Sequence, residues 1–205
     1  MIEKIINVKN RIIAALTFIM LGVICRILLQ GIMMDLFFVI AVVSLLTGLL
    51  LGGYYTFIVP ISIMIITDLI IGNNVIFLFT WSGFVILAVI GYILKSKQQY
   101  LTIKKAPIII GSGIAGIIIY DIWTNFGCWL GWYPHTFGGL MTCYTMAIPF
   151  TLWHLITTTI TLTAVIIPMS LLNIDQDIKI KPLTKNTTIA IPTVLMIAAI
   201  ISLIV

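Results

Sequence analysis

The chain has 205 residues, of which 61% are hydrophobic and only 8% are charged, and its mean hydropathy is +1.25. Soluble domains carry roughly 25% charged residues, so this composition excludes a water-soluble protein and indicates an all-α, multi-pass protein of the cell membrane. The net charge of +5 does not indicate nucleic-acid binding, because the basic residues flank apolar segments, where membrane topology explains them.

Seven apolar segments are long enough to cross the hydrocarbon core of a bilayer, which needs about 20 residues. They are predicted at Ile12–Leu29, Leu36–Gly53, Tyr54–Ile71, Val75–Leu94, Ala106–Trp123, Phe150–Leu172 and Thr188–Val205. The first six form a six-helix membrane domain over residues 1–172, followed by a cytoplasmic loop at 173–187 and a C-terminal seventh transmembrane helix at 188–205. Residues 124–149 are apolar but interrupted by glycine and proline, so we expect an outer aromatic loop there, with a short helix from about Phe137 to Ile148.

The distribution of lysine and arginine predicts the orientation. Basic residues concentrate in cytoplasmic segments of membrane proteins. A cytoplasmic N-terminus places ten of the eleven basic residues inside and leaves only Arg26 outside. The ten are Lys4, Lys9, Arg11, Lys95, Lys97, Lys104, Lys105, Lys179, Lys181 and Lys185.

With that orientation, polar and aromatic side chains gather at the outer face. The polar members considered as ligand contacts are Arg26, Asp68, Asp121, Asn125, His135 and His154, and all five tryptophans fall on the same side. Ionisable residues within a membrane are costly and often functional, which favours a small-molecule site. The alternative is structural: a buried Arg26–Asp68 or Arg26–Asp121 pair, a hydrogen-bonded His154, and aromatic anchoring at the membrane interface.

Sequence motifs for chemistry are absent. No metalloprotease, serine-hydrolase or phosphate-binding motif occurs, so we predict no catalytic residues, no metal, no cofactor and no enzyme activity. Cys25, Cys128 and Cys143 have no metal-type spacing. Reduced, buried cysteines are the favoured interpretation, although Cys128 and Cys143 could lie near each other.

The stretch from Asn125 to Phe150 carries a distinctive pattern. It contains Asn125-Phe126-Gly127-Cys128-Trp129, Tyr133-Pro134-His135-Thr136, Gly139-Leu140, Cys143-Tyr144 and Pro149-Phe150, and earlier Pro60, Asp68 to Gly72 and Gly91-Tyr92 also suit it. The pattern resembles a family of small, uncharacterised prokaryotic membrane proteins. These are similar in turn to the substrate-binding S components of energy-coupling-factor transporters.

The resemblance implies a six-helix fold that captures a substrate from outside and depends on a membrane coupling subunit and ATPases for transport. It implies pocket roles for Asp68, Asn125, Trp129, Tyr133, His135 and Tyr144. We therefore expect a substrate-capture subunit for a vitamin, cofactor precursor or metal. For such a subunit, Asp68→Ala or Asn125→Ala should weaken ligand binding without loss of folding. The alternative is a non-transport structural or assembly protein, whose outer polar cluster only pairs helices.

Overall fold

The computed structural model describes residues 2–28, 37–97 and 102–171, and within these ranges the chain is helical and contains no strand. The described α-helices are α1 (Ile2–Leu28), α2 (Phe37–Leu46), α3 (Tyr55–Ile71), α4 (Phe77–Lys97), α5 (Ala106–Trp132) and α6 (Phe137–Leu171). A π-helical segment at Thr47–Leu51 extends α2, and a 3₁₀ turn at Ile103–Lys105 precedes α5. The predicted loop 173–187 and seventh helix 188–205 lie outside the described residues.

Four of the described helices are long and apolar enough to cross a membrane. The qualifying segments are Asn10–Leu28 in α1, Phe77–Lys95 in α4, Ile103–Trp132 around α5, and Phe137–Leu171 in α6. The apolar segments Val39–Leu51 and Tyr55–Ile71 are shorter. At 1.5 Å per residue α3 is about 25 Å long, slightly less than the roughly 30 Å hydrocarbon core. The length and apolar composition of the four longer helices are those of a membrane protein.

The centre of the bundle is α2 with its π-helical extension, which contacts every other described α-helix. Its closest neighbour is α4, where two glycines remove the side chains that would separate the backbones. A Cβ added at Gly48 would collide with the carbonyl oxygen of Ala88, and one added at Gly91 would collide with that of Leu45. Such close backbone approach through small residues is typical of helices that pack in lipid.

The π-helical segment ends in a turn formed by two glycines, and a buried lysine of α4 contacts its last carbonyls. Gly52 and Gly53 have φ values of 65° and 58°, in the left-handed region that glycine adopts without steric strain. The Lys95 ammonium donates to the carbonyl oxygens of Leu50 at 2.5 Å and Leu51 at 3.2 Å. These carbonyls have no partner further along the helix, so Lys95 of α4 satisfies them and holds the end of the segment.

The structure differs from the predicted aromatic loop at 124–149. Helix α5 continues to Trp132 and α6 begins at Phe137, so only a short turn separates them. Gly127 lies inside α5, where a Cβ would collide with the ring of Phe79 on α4. Pro149 lies inside α6, which continues to Leu171. Gly127 therefore serves the packing of α5 on α4, and Pro149 stands inside a helix because transmembrane helices tolerate internal proline.

The helices alternate in direction, and α1, α3 and α5 all finish at one end of the bundle. We call this the Asp68 end, since the carboxylate of Asp68 lies there against Arg26 near the end of α1 and Trp81 near the start of α4. Lys95 marks the opposite end.

Candidate functional site

A cavity of about 440 Å³ lies at the Asp68 end, between α1, α3, α4, α5 and α6. Small-molecule sites in proteins have volumes of roughly 300–1,000 Å³. Six of the nine residues predicted from the sequence line this cavity. They are Arg26, Asp68, Asp121, Asn125, Tyr133 and His154.

Asp68 is the centre of a buried network that joins three helices. The carboxylate is 2% exposed and accepts from Arg26 Nη1 at 2.5 Å through Oδ1 and from Trp81 Nε1 at 2.7 Å through Oδ2. The same Arg26 nitrogen donates to the hydroxyl of Thr67. Both oxygens of Asp68 therefore have donors, and the network connects α1, α3 and α4. Of the two pairings that the sequence left open, the structure contains Arg26–Asp68.

Asp121 of α5 forms a second pair, with His154 of α6. Oδ1 of Asp121 lies 2.6 Å from Nδ1 of His154, and the Asp121 residue is 4% exposed. This contact joins α5 to α6. Unlike Asp68, Asp121 has one oxygen, Oδ2, that is buried and receives no hydrogen bond from the described residues.

Asn125 lies one turn beyond Asp121 on the cavity wall. Its Nδ2 donates to the backbone oxygen of Asp121 at 2.7 Å, which fixes the orientation of the amide. The thiol of Cys143 on α6 donates to the backbone oxygen of Asn125 at 3.4 Å. Cys25, Cys128 and Cys143 are free cysteines, of which only Cys143 is buried, and Cys128 and Cys143 both line the cavity.

The other three predicted site residues hold the junction between α5 and α6 and do not line the cavity. Trp129 Nε1 donates to the Pro134 oxygen at 3.0 Å, and His135 Nε2 donates to the Leu130 oxygen at 2.9 Å. Tyr144 donates its hydroxyl proton to the Ile122 oxygen at 2.8 Å. Each side chain therefore satisfies a backbone carbonyl of α5 or of the turn, which gives all three a position beside the cavity and a clear stabilising role.

One family model matches residues 6–178, which is most of the chain, and its description is DUF6580, a family of unknown function. The chain belongs to DUF6580. No curated protein and no solved structure matches the chain significantly. Membership in DUF6580 agrees with the predicted uncharacterised family, and it assigns no activity to the cavity.

The cavity of this DUF6580 member also contains residues that sequence reasoning did not select. They are chiefly apolar or aromatic, and include Met64, Phe77, Tyr120, Trp132, Met146 and Phe150. In a chain this hydrophobic, a cavity-lining Phe has the same signature as a lipid-facing or core Phe. Of these residues, Tyr120 could have been inferred from the sequence, because it directly precedes the predicted site residue Asp121. Among the described residues, no group of three or more His, Cys, Asp or Glu could hold a metal ion.

Proposed function

We propose that six helices of this chain cross the cell membrane with the N-terminus in the cytoplasm. The support is the placement of ten of eleven basic residues, which all flank the predicted inner ends of the helices. In this orientation the Asp68 end faces outward, and the cavity opens toward the side from which a nutrient arrives. The seventh segment, Thr188–Val205, would cross once more.

Within that topology we propose that the chain captures a small molecule for uptake, as a multi-pass membrane subunit. The observation that carries this proposal is the 440 Å³ cavity, where Arg26, Asp68, Asp121 and His154 converge from four helices. Charged residues at membrane depth are rare and mark substrate pathways when they surround a cavity. Trp132 and Tyr133, at the end of α5, also line this cavity, and we propose that they close over a bound molecule.

The resemblance to S components extends the proposal to partners. A chain without a nucleotide-binding motif cannot couple ATP hydrolysis to transport alone, so uptake would use a membrane coupling subunit and a pair of ATPases. The substrate class that fits this proposed uptake function is a vitamin or cofactor precursor. Metal ions fit less well, since the described residues offer no cluster of metal-type ligands.

Native mass spectrometry of gently purified protein tests the capture function. We expect a retained small molecule on the wild type and its loss from Asn125→Ala, because Asn125 lines the cavity. Thr145→Ala is the matched control. Thr145 is exposed on α6, its hydroxyl donates to the backbone oxygen of Met141 on the same helix, and it is not among the described residues that line the cavity. Retention by the control and loss from Asn125→Ala supports the proposal, whereas equal unfolding of both variants opposes it.

A structural or assembly role is the second candidate, and one observation favours it. The Arg26–Asp68 and Asp121–His154 pairs connect α1 to α3 and α5 to α6, which is what residues that only hold helices together would do. Native co-purification separates the two functions. An ATPase pair with a coupling subunit supports uptake, and a stable complex of unrelated membrane proteins supports assembly.

A further inference from the structure

The two acidic residues of the cavity differ in how completely their oxygens are satisfied. Asp68 has a donor on each oxygen, from Arg26 and from Trp81. Asp121 has His154 on Oδ1 only, and its Oδ2 is shielded from solvent without a donor among the described residues. A buried carboxylate oxygen without a donor is unfavourable, so a bound molecule that donates a hydrogen bond to Asp121 supplies what the described residues do not.

The charge of the cavity wall indicates what kind of donor fits. Arg26 is the one lysine or arginine on the described wall, and Asp68 already neutralises it. The carboxylate of Asp121 contacts the imidazole of His154, and the described wall offers no lysine or arginine besides Arg26 to pair with it. A cation on a ligand pairs with a carboxylate in such a setting, whereas an anion is repelled by it.

The apolar part of the wall supports the same conclusion. Tyr120, Phe77, Phe150 and Trp132 all line the cavity with Asp121. Aromatic faces attract ammonium and guanidinium groups, most strongly when those groups are desolvated. The same rings also pack against an apolar or aromatic ligand body. A carboxylate among aromatic rings is therefore suited to a cation attached to a ring or short apolar chain.

We infer that the ligand of this cavity is a small organic cation, carrying a protonated amine that binds Oδ2 of Asp121 and an apolar body that packs on the surrounding aromatic rings. Asp121 lines the cavity, and the torsion that turns the carboxylate of aspartate is broad, so the carboxylate can turn to meet a donor on the ligand. The inference rests on the proposed capture function and names the chemical class of its substrate.

Two matched series of compounds test the inference by thermal unfolding of the purified full-length protein. Tryptamine is compared with neutral tryptophol and anionic indole-3-acetate, and phenethylamine with 2-phenylethanol and phenylacetate. We expect the two amines to raise the unfolding midpoint of the wild type, by about 3–6 °C at ten times the Kd, and the alcohols and acids to have less effect. This ranking on the wild type needs no variant and stands even if an Asp121 variant does not fold.

Asp121→Asn, which removes the charge, should abolish the shift produced by the amines. Thr158→Val is the control, since Thr158 is buried one turn further along α6 from His154 and does not line the cavity, so the amine shift should persist. Stabilisation by the alcohols or acids that is equal in wild type and Asp121→Asn overturns the cation inference but keeps the capture function. No shift with any compound also overturns the inference, and the molecule retained in native mass spectrometry then decides the capture function separately.

Discussion

Replacing Asp68 with alanine should destabilise the protein itself, which differs from the expectation that only ligand binding would suffer. The carboxylate is 2% exposed and accepts hydrogen bonds from Arg26 at 2.5 Å and Trp81 at 2.7 Å. Removing one member of a buried ion pair costs about 3–5 kcal/mol, because the other charge is left uncompensated. At about 2–4 °C per kcal/mol for a chain of this size, the unfolding midpoint should fall by about 6–20 °C.

Thermal unfolding in detergent, followed by tryptophan fluorescence, measures this loss. The informative comparison is the double variant Arg26→Met with Asp68→Asn, which removes both charges while the asparagine amide oxygen still accepts from Trp81. Replacing both members of a buried pair by neutral groups is often close to neutral, so we expect the double variant to recover to within about 1 kcal/mol of the wild type. A wild-type midpoint for Asp68→Ala, or a double variant as unstable as Asp68→Ala, would refute the reasoning.

Two further substitutions test helix packing and the junction of α5 with α6. Gly91→Ala should lower the free energy of unfolding by about 1–3 kcal/mol in chemical denaturation, because the added Cβ meets the rigid backbone oxygen of Leu45. Gly111→Ala is the control: its Cβ meets open space, so stability should be unchanged or slightly higher. Equal effects of the two substitutions would contradict the close approach of α2 and α4. Tyr144→Phe removes the donor to the Ile122 oxygen and should lower the free energy of unfolding by about 0.5–1.5 kcal/mol. The ligand should still be retained in native mass spectrometry. Loss of the ligand at unchanged stability would instead assign Tyr144 to the binding site.

The position of α3 could be predicted closely from the sequence. The third segment was predicted at Tyr54–Ile71 and α3 occupies Tyr55–Ile71, because a glycine lies on each side of a run without basic residues. The segment 124–149 was harder, since glycine has the same signature in a loop as at a close helix contact. Gly127 belongs to the second kind, because it faces the ring of Phe79, a neighbour that the sequence alone does not reveal.

Six of the nine predicted site residues line the cavity. Charged and amide groups are costly against lipid or an apolar core, so those at one end of an apolar bundle gather at the same polar cavity. The sequence could not choose between Asp68 and Asp121 as the partner of Arg26. That choice depends on which helices are neighbours: within the described ranges α1 packs on α3 and does not contact α5. Trp129 shows the same limit, since only the folded turn reveals that its indole donates to the Pro134 oxygen.

The choice between a ligand pocket and structural pairing resolves differently for the two acidic residues. Buried polar networks with every group satisfied fix one arrangement of their helices, and the Arg26–Asp68–Trp81 network is of this kind. The Asp121–His154 pair leaves one carboxylate oxygen without a donor in the described part of the chain. A structural pair gains nothing from that oxygen, whereas a binding site does. We therefore expect Asp68 variants to change stability first and Asp121 variants to change ligand binding first, and a reversal of that order would reverse the assignment of the two pairs.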